Sequence, residues 1–299
     1  MIGLTAVAAM MVGLDALVVS TALSTIRADL GASVEELEWT VNAYTLNFAV
    51  LMMTATALGD RYGRRRTFVT GMGVFAAASA ACALAPSAGW LIAARAMQGA
   101  GAAAVMPLTL TLLTAAVPPR QRPRALGIYT AVIGASVPLG PLLGGAVVQG
   151  ISWPWIFWLN VPIGAALIPL TLTRIEESLG HDAGLDMPSL TLVTGAALGL
   201  VWGLVRGNSA DWGSAEVLLT LTLGGLLTIA FVLRGTRARE PMLPMRLFRN
   251  RSFSAGNAAM FFLWGSALGA LFFMAQYLQT GLGFGRSTPG CGSCPGERS

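Results

Sequence analysis

Gly59-Asp60-Arg61-Tyr62-Gly63-Arg64-Arg65-Arg66-Thr67-Phe68 packs one acid and four arginines into ten residues. The stretches on either side, residues 39–58 and 67–85, carry no charge. Each supplies the roughly 20 apolar residues that a helix needs to cross a hydrocarbon core about 30 Å thick. A charged knot between two such spans lies at a membrane surface. Its net positive charge assigns it to the cytoplasmic side, because loops rich in basic residues stay inside. That assignment orients the whole chain.

Composition agrees with a membrane-spanning polypeptide. The chain is 55% hydrophobic and 11% charged, with a mean hydropathy of +0.66. Soluble domains carry about 25% charged residues. The net charge of +5 therefore points to membrane topology and not to nucleic acid. All 19 basic residues are arginine, the mark of a GC-rich coding sequence; a need for bidentate recognition would not remove every lysine.

Nine spans are predicted, at residues 2–26, 39–58, 67–85, 90–117, 125–149, 155–173, 188–205, 215–233 and 254–280. The first lacks the basic leader of a signal peptide and carries Asp15, so it is read as a retained helix. With the N-terminus inside, the cytoplasmic connections hold 14 arginines and the outward ones only Arg27 and Arg206. Trp39, Trp90, Trp153, Trp155 and Trp212 fall at span ends, where an aromatic belt is expected. The outer connections at 86–89 and 150–154 are short, which makes neighbouring helices antiparallel and adjacent. The basic connector 234–251 carries Pro241 and Pro244 and is expected to hold a short surface helix at 245–250.

Two charges lie well inside spans, beyond Glu216 at the edge of the eighth. Asp15 sits mid-span in the first; an acid there costs about 2.5–3.5 kcal/mol on insertion scales. Either it is a proton or cation site, a desolvated carboxyl of raised pKa, or it is a structural carboxyl bonded to a neighbouring helix. Arg95, about one turn into the fourth span, must pair with an acid such as Asp15, hold substrate, or snorkel to the outer surface. Glycines and alanines make the fourth and fifth spans smooth, and Pro138 and Pro141 bend the fifth. Gly71-Met72-Gly73 resembles a dinucleotide turn but lies within a span, which excludes that role. Neither a catalytic constellation, a metal-ligand spacing nor a phosphate loop appears in the sequence, so no enzyme activity and no cofactor are expected. His181 lies in a polar inner loop, and Cys82 is read as a packing residue.

Five patterns in order resemble the major facilitator superfamily, specifically its fourteen-span drug:proton antiporters. The opening knot, from Thr56 to Arg65, is similar to the G-x-L-a-D-R-x-G-R-[KR] loop between helices two and three, with Thr56 for the leading glycine. Leu91, Arg95, Gln98, Gly99, Gly101, Ala102 and Ala103 match the helix-four pattern. Gly127, Gly140, Pro141, Gly144 and Gly145 match the helix-five antiporter pattern, with Ser136 replacing its second glycine. Residues 14–24 resemble l-D-x-T-v-v-n-v-A-L-P, with departures at Leu17 and Ser24. Residues 153–164 resemble W-R-W-i-F-x-i-N-v-P-i-G, with Pro154 for arginine.

The resemblance covers residues 5–284 and implies an all-α polytopic fold. Residues 1–173 would form a complete six-helix half and 174–253 two extra helices with a basic connector. Residues 254–280 would be the first helix of the second half, and 281–299 an aberrant tail. It implies proton-coupled export of small amphipathic drugs or metabolites across a bacterial cytoplasmic membrane by alternating access. Protons, small molecules and the bilayer would be the partners. Asp15, Arg95 and Gln98 would lie on the proton or substrate pathway. Asp60, Arg61, Gly63, Arg64 and Arg65 would form the gate, and the helix-five glycines and Pro141 a pivot. The partners of Asp60 and Arg64 are expected in the second half. Alternatives are a truncated, transport-inactive fragment, or a receptor or enzyme on a transporter scaffold.

After Gly285 the composition changes abruptly. The family continues with a segment such as G-P-L-D-A-G-L-R-L-L-P-W. Encoded in GC-rich codons and read after loss of one C, it becomes Gly-Arg-Ser-Thr-Pro-Gly-Cys-Gly-Ser-Cys-Pro-Gly, which is residues 285–296. A frameshift near codon 285 is the expected origin, making Cys291-x-x-Cys294 an accident and not a redox or zinc motif.

Overall fold

The structure, a computed structural model, describes residues 1–180, 186–237 and 245–280. They form ten α-helices: α1 Ile2–Leu30, α2 Val34–Tyr62, α3 Arg64–Ala83, α4 Ala88–Ala116, α5 Arg122–Gly150, α6 Trp155–Trp158, α7 Asn160–Arg174, α8 Met187–Ala210, α9 Ala215–Arg237 and α10 Arg251–Thr280. Short 3₁₀ turns occur at Pro119–Gln121 and Met245–Arg249, the second where a surface helix is predicted. Eight described helical segments are long and apolar enough to cross a membrane, α6 and α7 together making one of them. The ninth predicted span is the helix α10. The fold is that of an all-α polytopic membrane protein. His181, Cys291, Cys294 and the tail lie outside the described residues.

The sixth predicted span departs from one continuous helix. Helix is interrupted at Leu159, between α6 and α7. Pro162 has no N–H to donate to the carbonyl of Trp158, so the ladder cannot run through. The break puts Asn160 at the first position of α7.

Local chemistry sets the helix ends. Gly31 closes α1 in the left-handed conformation, at φ 60°. Ser33 opens α2 with a capping box: its hydroxyl accepts from the Glu36 N–H at 3.2 Å, and its own N–H donates to Glu36 Oε2 at 2.8 Å. Ser87 caps α4 and Asp186 caps α8.

The chain divides into two compact units, Met1–Met242 and Leu243–Ser299. In the first, α4 is central and packs against α1, α2 and α3. Small residues permit this. A Cβ at Gly99 would collide with the Tyr44 carbonyl of α2. A Cβ at Gly101 would lie 2.6 Å from the Phe75 nitrogen of α3, and one at Gly71 would lie 2.5 Å from Ala104 Cβ. Gly71, excluded as a nucleotide turn, thus lets α3 and α4 touch. Helices α8 and α9 pair through Gly199 and Gly224. Helix α8 leans on α2 through a 3.1 Å hydroxyl contact between Thr54 and Thr194 and a tilted Trp39–Trp202 pair with ring centroids 5.1 Å apart. The outward faces are apolar, with Leu219, Leu223, Leu226 and Ile229 of α9 all exposed, as a lipid environment requires.

Candidate functional site: a buried acid–arginine cluster

The cluster is assembled from six helices, α1, α2, α3, α4, α7 and the one-turn α6. Asp15 on α1 and Arg95 on α4 are both buried, with 4% and 0% of their surface exposed. Arg95 Nη1 donates to Asp15 Oδ2 at 2.6 Å and to Gln98 Oε1 at 2.7 Å, while its Nε donates to the Thr40 carbonyl of α2 at 3.2 Å. Its guanidinium carbon lies 4.1 Å from the Tyr44 ring centroid and 5.8 Å from that of Phe157. Of the three options for Arg95, pairing with Asp15 is the one realised; a fully buried guanidinium does not snorkel.

The other carboxylate oxygen is held by two amides. Asp15 Oδ1 accepts from Gln98 Nε2 at 2.8 Å and from Asn160 Nδ2 of α7 at 2.7 Å. Gln98 Nε2 also donates to Ser79 Oγ of α3 at 2.8 Å. The Ser79 hydroxyl donates in turn to the Phe75 carbonyl at 2.8 Å, and the Cys82 thiol lies 3.7 Å from Gln98 Oε1. A carboxylate only accepts, so the nitrogens of both amides must face it. Both oxygens of Asp15 thus accept from N–H groups, of Arg95 on one side and of Gln98 and Asn160 on the other. Such a pair survives burial because its remaining polar atoms are also bonded.

Sequence reasoning singled out Asp15, Arg95 and Gln98, and the structure brings all three together. It missed Asn160, Ser79 and the Tyr44–Phe157 walls around the guanidinium. The signal for Asn160 was its place as the asparagine of the W-R-W-i-F-x-i-N-v-P-i-G resemblance.

The knot forms a second cluster. Arg64 Nη2 lies 2.7 Å from Asp60 Oδ1, one turn away. The chain after α7 clasps this turn. The Gly180 N–H donates to the Asp60 carbonyl at 2.8 Å, and the Arg64 N–H donates to the Ser178 carbonyl at 3.0 Å. Glu177 caps α3, accepting from the N–H groups of Arg65 at 2.8 Å and Arg66 at 3.2 Å. Arg65 Nη1 bonds the carbonyls at the end of α7, Ile175 at 3.0 Å and Leu172 at 3.3 Å. Gly63 is required here twice over: its φ is 111°, and a Cβ would lie 2.6 Å from the Glu177 carboxyl carbon. Arg61 is exposed over the Tyr62 ring, 5.6 Å from its centroid. Asp60 and Arg64 bond each other through their side chains and residues 178 and 180 through their main chains.

On α5 the motif residues separate by face. Gly140 meets Leu17 of α1, and Gly144 meets Thr21 and Val18; a Cβ at either would intrude on them. A Cβ at Gly127 or Gly145 would meet nothing within 4 Å, and Pro141 is exposed. Ser136, at the motif's departure from glycine, lies opposite Gly13, where a Cβ would come 3.1 Å from the serine hydroxyl. The side chain gained on α5 is accommodated by the one lacking on α1.

An all-α membrane fold with a charged cluster buried among its spans is a transporter-type architecture, and comparison with known proteins names it. The Major Facilitator Superfamily profile matches residues 5–295, and the chain belongs to that family. It is 38% identical over 276 residues to the tetracenomycin C resistance and export protein of Streptomyces glaucescens, covering 92% of this chain and 51% of that protein. It is 39% identical over 287 residues to the cephamycin export protein CmcT of Amycolatopsis lactamdurans, covering 94% and 59%. The multidrug resistance protein Stp of Mycobacterium tuberculosis is 36% identical over 282 residues, covering 94% and 52%. The chain thus spans between 51% and 59% of the length of these relatives. Among solved structures, the peptide transporter POT in complex with sulfate superposes with a TM-score of 0.56 at 15% identity, over 80% of this chain and 52% of that one. At that identity the likeness concerns the fold alone.

Proposed function

We propose that the chain forms part of a proton-coupled, secondary-active exporter of small amphipathic compounds, working by alternating access across a bacterial cytoplasmic membrane with its N-terminus inside. The observation that carries this reading is the buried Asp15–Arg95 pair with Gln98 and Asn160, in a chain similar to drug-resistance and antibiotic-export proteins. A buried acid tied to a fixed cation has two discrete states. Ionised, it holds Arg95. Protonated, it releases the charge attraction and leaves donors facing a hydroxyl, which favours a different helix arrangement. A membrane potential of 100 mV adds about 2.3 kcal/mol per charge moved, enough to drive useful gradients without a nucleotide.

In this scheme residues 1–173 are the six-helix half that rocks against a second half, with substrate bound at mid-membrane between them. Residues 174–253 form the two additional helices and their connector, and 254–280 open the second half. The knot of Asp60, Arg61, Gly63, Arg64 and Arg65 serves as the inner latch. The α1–α5 seam at Gly140 and Gly144 serves as the pivot, supported by the close approach at both glycines.

The test is efflux of a fluorescent cation from vesicles carrying the 299-residue chain, with and without a proton gradient. Gradient-dependent efflux in the parent, lost in Asp15→Asn, is the expected result. Coupling that survives Asp15→Asn removes Asp15 from the mechanism.

A further inference from the structure

The two charged clusters stand at opposite ends of one helix. Asn160, the first residue of α7, donates to Asp15 Oδ1 at 2.7 Å. The last turn of α7 accepts Arg65 Nη1 on the carbonyls of Leu172 and Ile175, and two residues further Glu177 caps α3. Between them α7 is one 15-residue helix, continuous through Pro169 although that residue leaves one rung of the ladder without a donor, and packed through Gly164 onto α3, where a Cβ would lie 2.9 Å from Ala76 Cβ. We infer that Asn160 and α7 transmit the protonation state of Asp15 to the clasp that residues 177–180 make on the α2–α3 turn. The inference rests on Asp15 loading a proton, and it adds a positioning residue and a path that the family pattern does not assign.

The physical reason lies in the donor-only shell. When Asp15 takes up a proton, the O–H needs an acceptor, yet Arg95, Gln98 and Asn160 all present N–H. Gln98 is anchored on four sides: by Arg95 and the Cys82 thiol at its oxygen, by Asp15 and Ser79 at its nitrogen. Arg95 is anchored by Thr40, Gln98 and two aromatic rings. Asn160 has only Asp15 at 2.7 Å and a long 3.5 Å contact to Ser79. It is therefore the group that yields, by turning its amide oxygen toward Asp15 or by drawing the start of α7 away. A helix moves as a unit, so displacement at its first turn appears at its last. There, small shifts are enough to disturb the paired Glu177 acceptors.

Around Asp15 the ionisable groups are Arg95 from α4, the Tyr44 phenol from α2 and the Cys82 thiol from α3; α5, α6 and α7 bring none to the cluster among the described residues. At the clasp they are Asp60, Arg64, Arg65, Arg66 and Glu177. Glu177 could itself respond to acid, so the experiment separates the two sources.

Spin labels at Tyr62→Cys and Leu179→Cys, both exposed positions, report the clasp distance in proteoliposomes. In that background Cys82 is replaced by serine, which keeps a donor toward Gln98 Oε1, and Cys291 and Cys294 by alanine. Acidification is expected to lengthen the distance in this parent. Asp15→Asn should remove the response to pH, Asn160→Leu should abolish it with Asp15 intact, and Glu177→Gln should hold the clasp open at every pH. Asn160→Ala, which only removes atoms, is the second variant should the leucine not fold. A pH response that persists in the Asn160 variants, or in Asp15→Asn, overturns the inference. So does a parent clasp that ignores pH while efflux stays proton-coupled, an outcome that leaves the exporter reading standing. Proton coupling that survives Asp15→Asn in the efflux assay removes Asp15 from the mechanism and this inference with it, whereas a parent without gradient-driven efflux removes the exporter reading.

Discussion

Replacing Arg95 with leucine strips the buried acid of its cation, and the cost can be worked from the contacts. Asp15 Oδ2 loses its 2.6 Å partner, while Oδ1 keeps the Gln98 and Asn160 donors. The Thr40 carbonyl loses its bond from Nε, and the Tyr44 ring loses the cation 4.1 Å away. Removing one member of a buried ion pair costs about 3–5 kcal/mol, and the lost cation–π contact about 0.5–2 kcal/mol more. The surviving charge-assisted bonds, each about 1.5–3 kcal/mol, keep the total near the lower end of that range. Asp15→Asn should cost less, because Arg95 retains Gln98, Thr40 and its aromatic walls. The double variant Asp15→Asn/Arg95→Leu buries no charge and is expected to recover about 2 kcal/mol or more of the single-variant loss, a coupling of the size found between contacting residues. Unfolding in detergent micelles, followed by tryptophan fluorescence, measures all four proteins. A double variant no more stable than Arg95→Leu would refute the claim that an uncompensated carboxylate causes the loss.

Adjacent glycines of the α5 motif should behave differently. Gly144→Ala drives a methyl into Thr21 and Val18 of α1 and is expected to cost about 1–3 kcal/mol, whereas Gly145→Ala meets nothing within 4 Å and should stay within about 0.5 kcal/mol of the parent; equal losses in thermal melts would count against the α1–α5 seam described here. At the start of α8, burial pushes the Asp186 carboxyl up, but donors from Arg234 and Ser189 outweigh it and hold the group below its ordinary value of 3.8. A depressed carboxyl stabilises the fold fully above its unfolded value and loses that contribution as pH falls through the folded one. Melts of the parent should therefore decline below about pH 4 more steeply than those of Asp186→Asn; parallel curves would contradict the pairing.

Much of this architecture was written in one dimension. Apolar runs of spanning length and arginines concentrated in alternate connections are local properties, and they announced the all-α membrane fold before any helix was placed. Motif spacing likewise singled out Asp15, Arg95 and Gln98. The break at Leu159 was missed because an apolar run looks the same whether or not Pro162 interrupts its hydrogen bonds. Glu177 was missed because it sits in an unremarkable loop 112 residues from the Arg65 amide that it caps.

What the sequence alone determined was therefore the all-α, membrane-spanning character of the chain and the approximate places of its apolar helices, since the solvent that each residue meets depends on its own polarity and that of its neighbours. What only the tertiary structure decided was how those helices are rotated and shifted against one another. That rotation turns Gly140 and Gly144 onto α1 but leaves Gly145 open. It sets Asn160 against an acid 145 residues away and closes the charged knot at 59–68 with residues from beyond α7. A hydrogen bond between helices depends on axial register and facing angle, and both emerge only when whole faces pack.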